Sequence, residues 1–300
     1  MEKNVLAADT LAESLRAAVV RGSPQEVEAE LRRMVAEFST ENLIDVLSAI
    51  SGNGDTIINN VIKISEEALQ ILTKDRRHLD VARLMMVANE EGDTVLHATM
   101  KYRSDQVLPL LNLLLPEQVK ALVKRKNSRN ETVLHTAVSK GLLEQIKSIL
   151  ELLNPRDRFD VLKVRDNTSR TVTHTAALTG QYILYQENVK SQLSQENWEQ
   201  LVAEKTKEGS TALHLLVQHG QLEQVEALLS SMKNDEAAID LLVSKAEGDL
   251  TALHAAASRG QDEIVLFLVK EQLKRMKDLT DTSRRCYEEG MLECNDCMAL

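Results

Sequence analysis

Five histidines recur along this chain at a nearly fixed step. They are His97, His135, His174, His214 and His254, separated by 38, 39, 40 and 40 residues, and each follows a threonine by three positions. The text around them repeats too: Thr94-Val95-Leu96-His97, Thr132-Val133-Leu134-His135, Thr171-Val172-Thr173-His174, Thr211-Ala212-Leu213-His214 and Thr251-Ala252-Leu253-His254. A fixed period in this range means one structural unit used again and again. Such a unit cannot bury its apolar face alone, so the chain has to stack its units into a solenoid. Two weaker copies precede the five. Gly54-Asp55-Thr56-Ile57-Ile58-Asn59 has Asn in the His position, with Ser65 where the later copies have Gly. Leu15 to Gly22, then Val27 and Leu31, matches Leu134 to Gly141, then Ile146 and Leu150. Seven units result.

Within a unit the pattern reads as helices. Thr132 is placed to cap a helix, because its hydroxyl can accept from an orphan backbone N–H. Leu134, Ala137 and Val138 share one face at i, i+3 and i+4. Gly141 suits the end of that helix. Leu142, Gln145, Ile146, Ile149 and Leu150 give a second, antiparallel helix. A further segment follows in each unit, as in 39–47, 116–123, 155–162, 194–202 and 234–243. Each starts with a polar cap or Pro, carries acids in its first turn and ends in apolar pairs. That composition predicts a short third helix. A polar turn then leads to the next Thr.

These residues resemble the ankyrin repeat. Gly209-Ser210-Thr211-Ala212-Leu213-His214, with Gly220 and then Val225, Leu228 and Leu229, is similar to the family pattern almost residue by residue. The resemblance covers residues 11–270. It departs from the family in three ways. The Pro after Thr is replaced by Ile57, Val95, Val133, Val172, Ala212 and Ala252, and Thr173 stands for the motif Leu. The period exceeds the family's usual length of about 33 residues, which the third helix accounts for. The resemblance implies an all-α, ankyrin-type α-solenoid of about seven helix-turn-helix repeats, each with an extra short helix. Residues 1–53 form a degenerate N-terminal capping repeat. Residues 54–270 form the array, with repeats starting near 54, 92, 130, 169, 209 and 249. Residues 271–300 extend the last helix and then become a flexible tail from Thr280. The second repeat and the outer helix of the fifth (182–193) are irregular, and a bend is expected there.

Composition narrows the function. The net charge of −10 argues against nonspecific nucleic-acid binding, which needs a basic face. The richest apolar run, 107–115, is broken by Pro109 and Asn112 and is too short to span a bilayer. No signal peptide is read at the N-terminus. Cys286, Cys294 and Cys297 all lie in the last fifteen residues, which suits a reducing cytoplasmic or nuclear setting. One C-x2-C pair without further ligands does not make a zinc site. Successive register histidines sit about 10 Å apart if neighbouring helices pack normally. Zinc needs all its donors within roughly 2.0–2.3 Å, so the register histidines are read as structural rather than as metal ligands. No phosphate loop, nucleophile elbow or zincin motif is present, so no enzyme, cofactor or metal is expected.

What remains is a binding surface. In ankyrin arrays the turns and the free side of the inner helices line a groove for a partner protein. The turns here change sign along the chain: Glu90, Glu91 and Asp93 in the third repeat, Arg125 and Arg129 in the fourth, Arg165 and Arg170 in the fifth. Inner-helix positions Lys101, Tyr102, Lys140, Leu178, Gln218, His219 and Arg259 complete the candidate surface. Tyr102 and Leu178 are the candidate anchors, since large side chains are over-represented at hot spots, Tyr especially. Three functions fit a chain of this kind, expected to be monomeric. It is a scaffold whose basic turns meet an acidic partner, a regulatory inhibitor whose acidic turn masks a partner's basic segment, or a recruiting arm of an enzyme complex. The basic turns are equally readable as charge for solubility.

Overall fold

The computed structural model describes residues 2–74 and 78–288. Among them every regular element is helical, apart from two isolated bridges, Ile50 with Thr56 and Ala88 with Thr94, that pin the turns. The chain divides into two compact units, Met1–Asn167 and Thr168–Leu300.

The first unit holds four repeats. The inner helices are α1 (Glu2–Arg21), α4 (Ile57–Ile64), α7 (Val95–Tyr102) and α10 (Val133–Ser139); the outer helices are α2 (Pro24–Glu37), α5 (Ala68–Thr73), α8 (Val107–Leu111) and α11 (Leu143–Glu151). Third helices follow at α3 (Thr40–Ser48), α6 (His78–Met85), α9 (Pro116–Val123) and α12 (Pro155–Leu162). Inner helices pack on inner helices, α1 on α4, α4 on α7 and α7 on α10. Outer α2 packs on α5 and α8 on α11, while third helices pack in order from α3 to α12. The lengthened period therefore adds a third row of helices to the stack. Leu134, Ala137, Val138, Ile146, Ile149 and Leu150 are all buried, as their spacing requires.

The second unit has the same plan. Inner helices α13 (Val172–Leu178), α16 (Ala212–Gln218) and α19 (Ala252–Ser258) stack in order. Outer helices α14 (Tyr182–Val189), α17 (Leu222–Ser231) and α20 (Asp262–Glu288) stack behind them, with α15 (Gln195–Ala203) and α18 (Asp235–Val243) as the third row. The last helix continues through Thr280 to Glu288, past the point where the sequence predicts fraying. The side chain of Cys286, and the whole of Cys294 and Cys297, lie outside the described residues.

Local chemistry sets the boundaries. Ser39, Ser194 and Asn234 accept backbone N–H bonds at the starts of α3, α15 and α18, and Pro116 and Pro155 open α9 and α12. Gly141 takes φ +74° after α10, and the next amide, of Leu142, reaches back to the Ala137 carbonyl at 2.9 Å. That left-handed exit satisfies an orphan carbonyl and turns the chain into the outer helix. Ser65, in the Gly position of the second repeat, does something different. Its backbone stays extended, and its hydroxyl accepts from Ala68 N and donates to Glu28. Here the exit from one helix serves as the cap of the next, and the short α5 follows.

The irregular fifth repeat also has a cause. Thr173, where the motif has Leu, is fully buried and hydrogen-bonds the Tyr185 hydroxyl at 3.0 Å. Tyr182, Tyr185 and Trp198 form an aromatic cluster with centroids 6.2–6.5 Å apart, and Trp198 Nε1 donates to Ser231 at 2.9 Å. A polar contact replaces one aliphatic contact, and rings fill the space. The outer helix ends in a tighter turn over Lys190–Gln192.

Candidate partner-binding surface

Each register histidine is held within its own repeat, and three of them are also tied to the next. The backbone N–H of Thr94, Thr132, Thr171, Thr211 and Thr251 donates to Nδ1 of the histidine three residues on, at 3.2–3.3 Å. An amide N–H can only donate, so Nδ1 carries the lone pair and the proton sits on Nε2. Nε2–H then donates onward to the next turn: His97 to the Glu131 carbonyl, His174 to Glu204 and His214 to Leu250. The imidazole is thus a rivet between consecutive repeats. Burial pushes the pKa of His97 and of His214 down, against the opposing pull of their carbonyl partners. The rings of His97 and His214 are neutral, and their nitrogens are used in the fold. Among the described residues no three His, Cys, Asp or Glu side chains gather as a metal site.

The turns form a second ladder. In the first unit Glu90 N donates to Gly54 O, Ser128 N to Glu91 O and Asn167 N to Arg129 O. In the second, Lys207 N donates to Thr168 O and Glu247 N to Glu208 O. This fixes the spacing of the turn side chains. Gly92 shows how tight the ladder is: at φ +74°, a Cβ there would lie 2.9 Å from Ser128 N.

Five candidate residues come together in the first unit. Glu90, Glu91, Asp93, Lys101 and Tyr102 line one cleft of about 240 Å³, with Asn53, Asp55, Asn59, Lys63 and Asn89. Glu90, Glu91 and Lys101 are exposed, and Tyr102 is 40% exposed. Asp93 is a correction to the sequence reading. It is only 8% exposed, and its carboxylate accepts from Asn127 at 2.9 Å, so it braces the turn instead of presenting charge. Asp55 is likewise occupied, paired with Lys63 at 2.5 Å and accepting from Asn89. Burial would raise its pKa, but these hydrogen bonds outweigh it and hold the carboxyl below its usual range. Lys63 and Lys101 place their ammonium groups 5.1 and 5.6 Å from the Tyr102 ring centroid.

The basic candidates are scattered and partly tied. Arg125 and Lys140 are exposed on the fourth repeat. Arg129 pairs with Glu131 in its own turn at 2.9 Å, and Arg165 is half-buried and engaged, its carbonyl accepting from Lys126 at 2.7 Å. In the second unit Arg170, Gln218 and Arg259 line a separate hollow of about 380 Å³. Arg170 is engaged there, and Leu178 is half-buried. His219 is exposed and lines neither cavity. The polar cleft residues not nominated from the sequence are Asn53, Asp55, Lys63 and Asn89, with Asn59 noted only as a degenerate histidine. An Asn at that register beside an acidic turn was the available signal.

Residues 185–281 match the family model of ankyrin repeats, in three copies. This stretch is an array of ankyrin repeats. The matched stretch lies in the second unit, where the family's Thr, His and Gly positions are most complete. Ankyrin repeats are generic protein–protein interaction modules. A comparison with curated proteins finds no match to this chain. No helix among the described residues is long and apolar enough to cross a membrane.

Proposed function

We propose that this ankyrin-repeat protein docks a partner protein on its turns and inner helices, without chemistry of its own, and that the acidic cleft of the third repeat meets a basic segment of that partner. The observation that carries this is the pair Glu90 and Glu91. Both carboxylates are exposed and neither is in an ion pair among the described residues, beside the exposed ring of Tyr102 in one cleft. Arg129, Arg165 and Arg170 are engaged within the protein itself, which favours masking of a basic segment over capture of an acidic one. Charge complementarity of this kind steers encounter and selects partners. A scaffold of several partners remains compatible, since the hollow in the second unit is a separate surface.

Site-specific photo-crosslinking in native lysate tests this. A benzophenone amino acid would replace Tyr102 in one protein and Leu115, an exposed residue at the start of α9, in another. Adducts are expected at 102 and not at 115. Adducts at 115 alone, or at neither position, would overturn the proposal.

A further inference from the structure

We infer that the cleft of the third repeat receives a single arginine side chain of the partner, and that Asn59 is the residue that opens it. The inference rests on the partner-binding reading above and narrows it to one guest group. Asn59 stands in the histidine register. It keeps half of that role: Nδ2 donates to the Asp93 carbonyl at 3.4 Å, the same step that His97 makes to Glu131. Because that partner is a carbonyl, the amide nitrogen has to face it, and this fixes where the amide oxygen lies. Asn59 is 1% exposed, it lines the cleft, and Oδ1 has no hydrogen-bond partner among the described residues. A buried acceptor left unpaired is costly and uncommon. An imidazole here would reach both sides; the shorter amide leaves an acceptor and space.

The walls show what kind of donor fits. Asp55 and Asp93 are already satisfied, by Lys63 and Asn89 and by Asn127. Glu90 and Glu91 are not in ion pairs among the described residues. A Glu90 carboxylate oxygen lies only 2.8 Å from where a Cβ on Gly54 would stand, so that glycine makes room for the carboxylate at the cleft. Two ammonium groups already sit near the Tyr102 ring, which marks it as a surface for cations. Lys63 is held by Asp55, whereas Lys101 is exposed and free to swing aside. A guanidinium suits this set better than an ammonium. It is planar, stacks on an aromatic face and carries five donors in a fork that can span carboxylates and an amide oxygen. A cleft of about 240 Å³ has room for a side chain, not for a helix.

The test is an amide-resolved NMR titration of the full chain with N-acetyl-arginine methylamide, run beside the lysine and citrulline analogues. Shifts confined to Gly54, Asn59, Glu90 to Gly92 and Tyr102 are expected with arginine. Citrulline keeps the shape without the charge and should bind roughly tenfold more weakly or worse. Glu90→Gln with Glu91→Gln should weaken arginine by a similar factor. Asn59→His should fill the cleft, complete the register bonds and abolish arginine binding while melting no lower than the parent. Loss of arginine shifts in that well-folded variant supports the pocket. Absence of arginine shifts in the parent, equal binding of citrulline, or unchanged affinity in Asn59→His overturns it. If the pocket fails while adducts still form at position 102, partner docking stands and only the arginine guest is wrong. If adducts fail too, both readings fall.

Discussion

At the scale of single residues, the fold depends on buried polar pairs that have little tolerance for change. His97 and His214 are neutral in the folded protein because burial lowers their pKa. The unfolded chain binds their protons at about 6.5, so it gains protons first as pH falls. Stability is therefore fully present above that value and is lost between it and the lowered folded-state values. Melting temperature should decline as pH is taken from 8 to 5.5, and a flat profile in this range would contradict the neutral rivet. Asp55 acts in a lower window, since its folded pKa is depressed below 3.8 and its contribution fades only under that value. Thr173 and Tyr185 offer a sharper case. Thr173→Val would orphan the buried tyrosine hydroxyl and should cost about 1–3 kcal/mol in denaturant melts. Adding Tyr185→Phe should recover most of that loss, and simple additivity of the two changes would rule out the pairing. The sequence made Thr173 visible as a departure from the motif. It did not show the partner, because Tyr185 lies on the next helix and only the packing brings the hydroxyls together. Asp93 failed for a related reason. Its burial comes from Asn127 in the following turn, a contact that no local pattern encodes.

At the scale of elements, helices with Thr at the start and Gly at the end were legible, because both boundary residues act through the backbone. The third helices were legible from their cap-and-acid openings. Ser65 was not, since one hydroxyl there serves the next helix instead of a left-handed exit. The turn ladder adds its own constraint. Gly54, Gly92, Asn130, Ser169, Gly209 and Asp249 occupy one register position, two before the repeat's Thr, and all have positive φ. Side chains other than glycine are strained there. Ser169→Gly should raise stability by about 0.5–1 kcal/mol, whereas Gly92→Ala should lower it by at least about 1 kcal/mol through strain and the clash with Ser128 N. A loss for Ser169→Gly, or a gain for Gly92→Ala, in thermal melts would show that the ladder is not the constraint. The last helix packs through Ile264 and Leu268 and adds one buried polar anchor. Arg275 is 6% exposed, pairs with Asp235 and Glu271 at 2.8 Å, and donates to the Leu229 and Met232 carbonyls at the end of α17. Arg275→Met leaves those carbonyls and both acids without their donor, and should cost roughly 3 kcal/mol in the second unit.

At the scale of the whole molecule, stability in a repeat array is a sum of units and neighbour interfaces. The chain has one tryptophan, Trp198, fully buried in the second unit. Its fluorescence reports that unit alone, while far-ultraviolet circular dichroism reports both. Denaturant curves by the two probes are expected not to coincide, and superposition would mean that the units unfold as one. Function belongs to this scale as well, because the candidate surface is made of side chains from successive repeats. The sequence nominated the surface from the turns, but the choice between its acidic and basic parts needed the ion pairs that engage the arginines. The most direct test is affinity capture from native lysate with identification by mass spectrometry, using the parent protein and two charge-reversed variants of equal melting temperature. One carries Glu90→Lys and Glu91→Lys; the other carries Arg125→Glu, Arg129→Glu and Arg165→Glu. A partner retained by the parent and by the arginine variant, but lost by the glutamate variant, is the expected result. A partner retained by the glutamate variant and lost by the arginine variant would contradict it.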